Sequence, residues 1–276
     1  MKKIFITYGD QRYLDSLQRI KKEAESLDFF DEIHLYNDKL LPDLFQEYTR
    51  RYKRGGGYWL WKPYILFDAW NKVDEGDIIV YADAGCTLLK HKDWERYFRI
   101  LKKKDAIFFI TKGKNKRWCK KEVFTFFNPK NSLWRYANQI QATFFMIKKT
   151  KNNDVVERWY QLAATHPHLF FDMNEEERSK ENPSVKEHRH DQAVLTGCIC
   201  MSKDLRRYYL TPERMEKRLS RGQAVLASRI SAEGIRGAGM NSPVEKSFVT
   251  YLNELTENPL RKFRTLLFFY LSRISI

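Results

Sequence analysis

Apolar positions in the first part of the chain fall into short continuous runs, separated by stretches in which they recur every three or four residues. Residues 2–8 form a run of β-branched and aromatic side chains that predicts a buried strand. Gly9-Asp10 breaks it, and Leu14, Leu17 and Ile20 then share one helical face. Glu32–Tyr36 predicts a second strand. The unit repeats, with a helix from Pro63, a residue suited to a first helical turn, and a strand over 77–82. That strand is continuously Ile- and Val-rich, as a strand covered on both faces should be. A helix over 94–101, strands over 106–111 and 142–148, and helices over 154–164 and 191–200 continue the alternation. The expected class is α/β, a mostly parallel central sheet with helices on both faces. Residues 172–190 are almost wholly polar and contain Pro183, which predicts a mobile surface loop of the lid type. Beyond Lys203 the pattern is less regular until 259–276, where Phe263, Leu266, Leu267, Tyr270, Leu271 and Ile274 return at helical spacing. The expected division is a catalytic-size domain over 1–240 and a helical tail over 241–276.

Charge sharpens this division. The net charge is +15, yet residues 1–101 carry 17 basic and 17 acidic side chains and residues 122–202 carry 10 of each. The excess lies in 102–121, with 9 basic and 1 acidic, and in 203–276, with 14 and 7. Clustered charge creates a field where dispersed charge does not. A basic RNA- or polyanion-binding protein is one reading of the first block, with Lys112-Gly113-Lys114-Asn115-Lys116-Arg117 as phosphate contacts. No nucleic-acid motif accompanies it, so no nucleic-acid partner is expected. The length and the 43% hydrophobic content suit a soluble globular chain. Four cysteines without a CxxC pair suit a reducing cytosol. No signal peptide opens the chain, and no apolar stretch approaches the ~20 residues that span a bilayer. The tail, apolar on one side and carrying Arg261, Lys262, Arg264 and Arg273, has the composition of an interfacial helix. The same composition also serves a terminal helix docked on its own domain or on a second subunit.

Three clusters carry candidate chemistry. Arg54-Gly55-Gly56-Gly57-Tyr58-Trp59-Leu60-Trp61-Lys62-Pro63 joins three glycines, flat aromatic surfaces and a lysine beside a helix N-terminus, a combination suited to a nucleotide diphosphate or a sugar. A glycine hinge followed by core aromatics accounts for it equally. Asp83, in Ala82-Asp83-Ala84-Gly85-Cys86, follows a strand at the end where open α/β sheets bind ligands, where a carboxylate holds a hard divalent cation or caps a turn. His188-Arg189-His190-Asp191-Gln192 opens a helix; Asp191 suits the N-cap position, and with His190 it also suits orientation of an acceptor hydroxyl.

Taken together, Gly57-Tyr58-Trp59-Leu60-Trp61-Lys62-Pro63, Tyr81-Ala82-Asp83-Ala84-Gly85-Cys86 and His190-Asp191-Gln192 resemble a family of bacterial glycosyltransferases of GT-A type associated with capsule and lipopolysaccharide assembly, over roughly residues 1–235. The resemblance implies a nucleotide-sugar co-substrate, a UDP-sugar, and a glycan or lipid-linked acceptor. It implies a cytoplasmic enzyme held peripherally on the anionic inner face of the membrane by its tail. It places the uracil and ribose at Thr7 and Tyr8, the donor at Tyr58, Trp59, Lys62, Asp83 and Gly85, and the sugar or acceptor at Gln141 and Gln192, with His190 and Asp191 as catalytic groups. GT-A enzymes usually bind Mg²⁺ or Mn²⁺ through Asp-x-Asp; here Asp83-Ala84-Gly85 lacks the second carboxylate, so Asp83 alone stands for a metal ligand or for a ribose contact. A non-catalytic sugar-nucleotide sensor would carry the same motifs.

Overall fold

The computed structural model describes residues 1–128, 130–219, 222–235 and 248–274, the side chains of 248–255 excepted. The expected boundary at 240/241 and the last two residues of the tail lie outside them.

The central sheet contains β1 (Lys3–Tyr8), β2 (Glu32–Tyr36), β3 (Ile78–Ala82), β5 (Ala106–Lys114), β6 (Asn138–Ile140), β7 (Phe144–Lys148) and β8 (Tyr208–Pro212); β4 (Thr87–Leu88) pairs separately with β9 (Val225–Leu226). β1 runs parallel to β2 and β3, and β5 runs parallel to β8. β7 is antiparallel to both β3 and β5, and β6 is antiparallel to β5. Ala106 pairs with β7 on one side and β8 on the other, and Ile110 pairs likewise with β6 and β8. β6 and β7 therefore lie end to end along one edge of β5, wedged between two parallel groups. Five of the seven strands run the same way, so the C-terminal ends of β1, β3, β5 and β8 open at one edge of the sheet.

Side-chain alternation along the strands divides the core in two. Ile4, Ile6, Ile79, Tyr81, Ala106, Phe108, Phe145 and Ile147 face helices Trp61–Lys72, Val155–Thr165 and His190–Cys200. Phe5, Ile78, Val80, Ile107, Phe109, Phe144 and Met146 face Leu14–Ser26 and Asp93–Leu101. Helices thus cover both faces, as the continuous apolar runs predicted.

Two expectations are corrected. The polar stretch 172–190 is not free chain. It holds the helix Glu175–Ser179, closed by a capping box between Asn174 and Glu177, and is tied down by the backbone bonds Lys186 to Arg117 and Arg189 to Trp118. The last third contributes β8, which no periodicity announced. The tail helix, Phe248–Arg273, lies along the domain, with Phe269 in the main core and Asn131 and Asn128 donating to its C-terminal carbonyls.

Candidate active site

Two adjoining chambers open at the C-terminal strand ends. The larger, about 640 Å³, lies among Asp83, the end of β5 at Thr111–Gly113, residues 213–217 after β8, and the start of the helix His190–Cys200. The smaller, about 380 Å³, lies beside Tyr8, Asp10, Arg12, Tyr13 and Gly85. Trp59, Asp83, Thr143 and Arg229 line both.

Trp59 reaches this junction through an unusual piece of backbone. Five successive residues, Gly55 to Trp59, have φ between +54° and +86°, with Tyr58 and Trp59 amides bonded four residues back to Arg54 and Gly55. This is a left-handed helical turn, which only glycine enters freely. A Cβ at Gly55 would lie 2.3 Å from the Trp59 ring, and one at Gly57 would lie 2.8 Å from the Tyr48 carbonyl carbon. The amides of Gly56, Gly57, Tyr58 and Trp59 all donate to backbone carbonyls of the same segment, so the turn is closed on itself. The three glycines allow a turn that presents the Trp59 ring to the cavity and packs Tyr58 away from it, against Phe171 and His190.

The centre of the site is ionic. The Lys62 side chain, 2% exposed, places Nζ 2.7 Å from Asp191 Oδ2 and 3.1 Å from Asp83 Oδ1, and donates to the Ala142 carbonyl at 3.1 Å. Burial pulls the ammonium's pKa down, but Asp191 and Asp83 more than offset it, leaving it above the ordinary lysine value. Burial raises the Asp191 carboxyl, with Lys62 opposing. Asp83 is about a third exposed at the cavity wall and also accepts from the Tyr81 hydroxyl. Asp191 is the second residue of its helix rather than the N-cap, a position held by Arg189, and its carboxylate is directed to Lys62, with the Gln192 backbone amide as a further partner.

His190 stands at φ +38°, its ring 5.2 Å from both Tyr58 and Trp59. Nδ1 donates to the Phe170 carbonyl at 2.7 Å, leaving Nε2 buried without a hydrogen bond, 3.7 Å from Asp172 Oδ1. Burial lowers its pKa to about 4, so it is neutral at pH 7 and a weak base.

The remaining expected residues divide. Gly85 lines the smaller chamber, and its Cβ would press on Arg229 and Ile230 backbone at 3.2–3.3 Å. Gln192 lines the larger one and donates to Gln139 Oε1 at 2.5 Å. Tyr8 lines the smaller chamber with one ring face already stacked on Trp61 at 3.8 Å and its hydroxyl on Asp38. Thr7 is fully buried within β1 and Tyr58 is packed on aromatics, so neither reaches a chamber. Gln141 is buried against Met215; Gln139, two residues earlier, lines the cavity beside Gln192. Lys62 does not present a free ammonium to phosphate, because the two carboxylates and a carbonyl surround it.

Of the other lining cations, Arg214, Lys217 and Arg229 had not been named individually. Lys112, Arg214, Lys217, Arg229 and Arg261 come from the two basic blocks, which the parallel β5–β8 pairing brings side by side. Arg54 and Arg189 join them, against Asp83, Asp191, Glu213 and Glu216. The segmental charge count was the available signal, but it gave no hint that the blocks meet. A divalent cation does not fit this donor set. No cluster of three or more His, Cys, Asp or Glu suited to a metal occurs among the described residues, and the gap between Asp83 and Asp191 is filled by Lys62.

No protein-family model and no curated protein matches the sequence. Among solved structures, the chain is similar to a glycosyltransferase involved in glycosylation of the major capsid of PBCV-1, at 9% identity over 82% of this chain and 92% of that one, with TM-score 0.43. It is similar to the galactosyltransferase LgtC, at 12% identity over 78% and 75%, with TM-score 0.39. It is also similar to the bifunctional IspDF of Campylobacter jejuni, at 12% identity over 78% of this chain and 50% of that one, with TM-score 0.38. Likenesses of this size concern the outline of the α/β fold and carry nothing about activity.

Proposed function

We propose that this chain is a GT-A-type glycosyltransferase that moves a sugar from a UDP-sugar to a hydroxyl of a cell-surface glycan of the capsule or lipopolysaccharide kind. The observation that carries the reading is the junction itself: Asp83 and Trp59 line both chambers at the C-terminal ends of the strands, where open α/β sheets bind their ligands. The smaller chamber, beside Tyr8, takes the nucleoside. The larger, floored by Asp191 and walled by His190, Gln139 and Gln192, takes the sugar and acceptor. Catalysis then rests on positioning and on stabilising the leaving group's charge. The test is UDP release from a panel of UDP-sugars. We expect one donor to raise the melting temperature and turn over, and Asp83→Asn to lower turnover by about 100-fold or more while the protein stays folded, the scale set by losing one placed polar group. Wild-type turnover in that variant would sink the site assignment, and donor binding without turnover would favour a sensor.

The acceptor side of the reading rests on the C-terminal helix. Arg261, Thr265 and Ser272 face inward, whereas Leu260, Phe263 and Ile274 are 59%, 65% and 58% exposed, with Leu267 and Tyr270 on the same side. The helix docks through Phe269, Leu266 and Phe268 and still leaves these five large apolar groups on its outer side, a patch suited to an apolar medium. Residues 259–274 contain no acid, which matches an anionic lipid surface on the cytoplasmic side of the membrane. No helix among the described residues is long and apolar enough to cross a membrane. Phe263→Ser with Leu267→Ser should weaken binding to phosphatidylglycerol vesicles by about tenfold or more, since two large apolar contacts are lost. Unchanged vesicle sedimentation would refute the membrane role.

A further inference from the structure

The space between Asp83 and Asp191 is where a bridging cation would be held, and it already holds one. Lys62 Nζ lies 3.1 and 2.7 Å from the two carboxylates, and its third contact is the Ala142 carbonyl at 3.1 Å. The stem is fixed as well, with the ammonium 5.5 and 5.3 Å from the ring centroids of Trp61 and Tyr81. Mg²⁺ or Mn²⁺ needs oxygen ligands at roughly 2.0–2.2 Å in a shell of about six. An ion that close to Asp83 Oδ1 would lie against a buried positive charge that has nowhere to move. Two carboxylates and one ammonium leave a residual charge of −1 at the cavity floor, so an approaching diphosphate must find its cations elsewhere. It finds them at the junction. Arg229 lines both chambers, its guanidinium paired with Glu216 Oε2 at 2.6 Å, and Arg214 and Lys217 enter the larger chamber from the chain after β8.

We propose that the site carries its own cations in place of a divalent metal: Lys62 permanently occupies the position between Asp83 and Asp191, and Arg229, with Arg214 and Lys217, receives the diphosphate of the donor. This rests on the nucleotide-sugar reading for the identity of the anion, but not for the role of Lys62. The acidic pair then holds the lysine instead of a metal, and the absence of a second acid after Asp83 is explained, because Asp191 supplies it from the helix His190–Cys200 for a different purpose.

Two measurements decide it. Mn²⁺ titration of the wild-type protein, followed by electron paramagnetic resonance of the free ion, should show no site that depends on Asp83. UDP titration should give the same Kd in EDTA and in Mn²⁺, and Arg229→Met should raise that Kd by about tenfold, the worth of one charge-assisted hydrogen bond. Lys62→Ala, where it folds, should acquire a melting temperature that rises with Mn²⁺, and a second change, Asp83→Asn, should remove that response. One Mn²⁺ bound by the wild type and lost in Asp83→Asn overturns the proposal, as does UDP binding that requires Mn²⁺. Should the wild type bind no UDP at all, the donor reading falls, and the Mn²⁺ titration of the wild type still decides what Lys62 does.

Discussion

Lys62→Met is expected to destabilise the protein by about 3–5 kcal/mol, the usual cost of removing one partner from a buried ion pair. Methionine fills much of the same volume, so the loss is electrostatic rather than a cavity effect. Lys62 is 2% exposed and Asp191 is almost as deeply buried, whereas Asp83 reaches solvent. Without the ammonium, Asp191 must either remain charged with no partner or take up a proton. At neutral pH both cost free energy. Adding Asp191→Asn to Lys62→Met removes the stranded charge and should recover part of the loss, a coupling on the order of 1–3 kcal/mol for residues in direct contact. Urea denaturation of the four proteins of this cycle supplies the test. A single variant within about 1 kcal/mol of wild type would show that the ion network is not what holds the helices Trp61–Lys72 and His190–Cys200 at this point.

The second large effect is expected in acid. His190 and His188 are both buried and both neutral, with pKa values pushed down, His190 to about 4 and His188 well below its ordinary value, burial being the first cause in each case. The His188 ring shows why: Nε2 donates to the Leu169 carbonyl while Nδ1 accepts from the Lys120 amide, so a second proton would face an N–H. In the unfolded chain these rings titrate near 6.5. The unfolded state therefore binds protons first as pH falls, and stability is complete above about 6.5 and lost progressively toward 4. For His190 alone the shift corresponds to about 3 kcal/mol, and His188 adds in the same direction. Asp191, whose carboxyl is raised, works against this trend at the acid end. The ring Cε1 proton resonances of both histidines should stay at their neutral positions at pH 5, while the urea midpoint falls between pH 6.5 and 4.5. A ring titrating near 6.5 in the folded protein would contradict the prediction.

Much of this molecule follows from local pattern. Continuous apolar runs identified β1, β3 and β7 to within a residue or two, because a strand buried on both faces leaves no place for a polar side chain. Asp83 at the end of β3 and the glycine–aromatic block were legible for the same local reason, since strand ends and positive φ leave marks on sequence. β8 was missed because Tyr208–Pro212 is an edge strand ending in proline, without the apolar run of a central strand. Gln141 was named through the resemblance; β6 ends at Ile140, so Gln141 leaves the strand and packs on Met215, while Gln139, inside β6, lines the cavity.

The sequence by itself determined the alternation of strands and helices, the residue types at the strand ends and the division of charge into two neutral and two basic stretches. Those depend on neighbours within a few positions, where periodicity and backbone sterics act. Only the tertiary structure decided what each charge meets. It closed Lys62 between carboxylates 21 and 129 positions away, set the two basic blocks side by side through β5 and β8, and divided the apolar residues of the last helix between the core, at Phe269, and the outer surface, at Phe263 and Leu267. A charge takes its role from the groups within a few ångströms of it, and in a folded chain those groups come from distant segments that packing and strand register bring together.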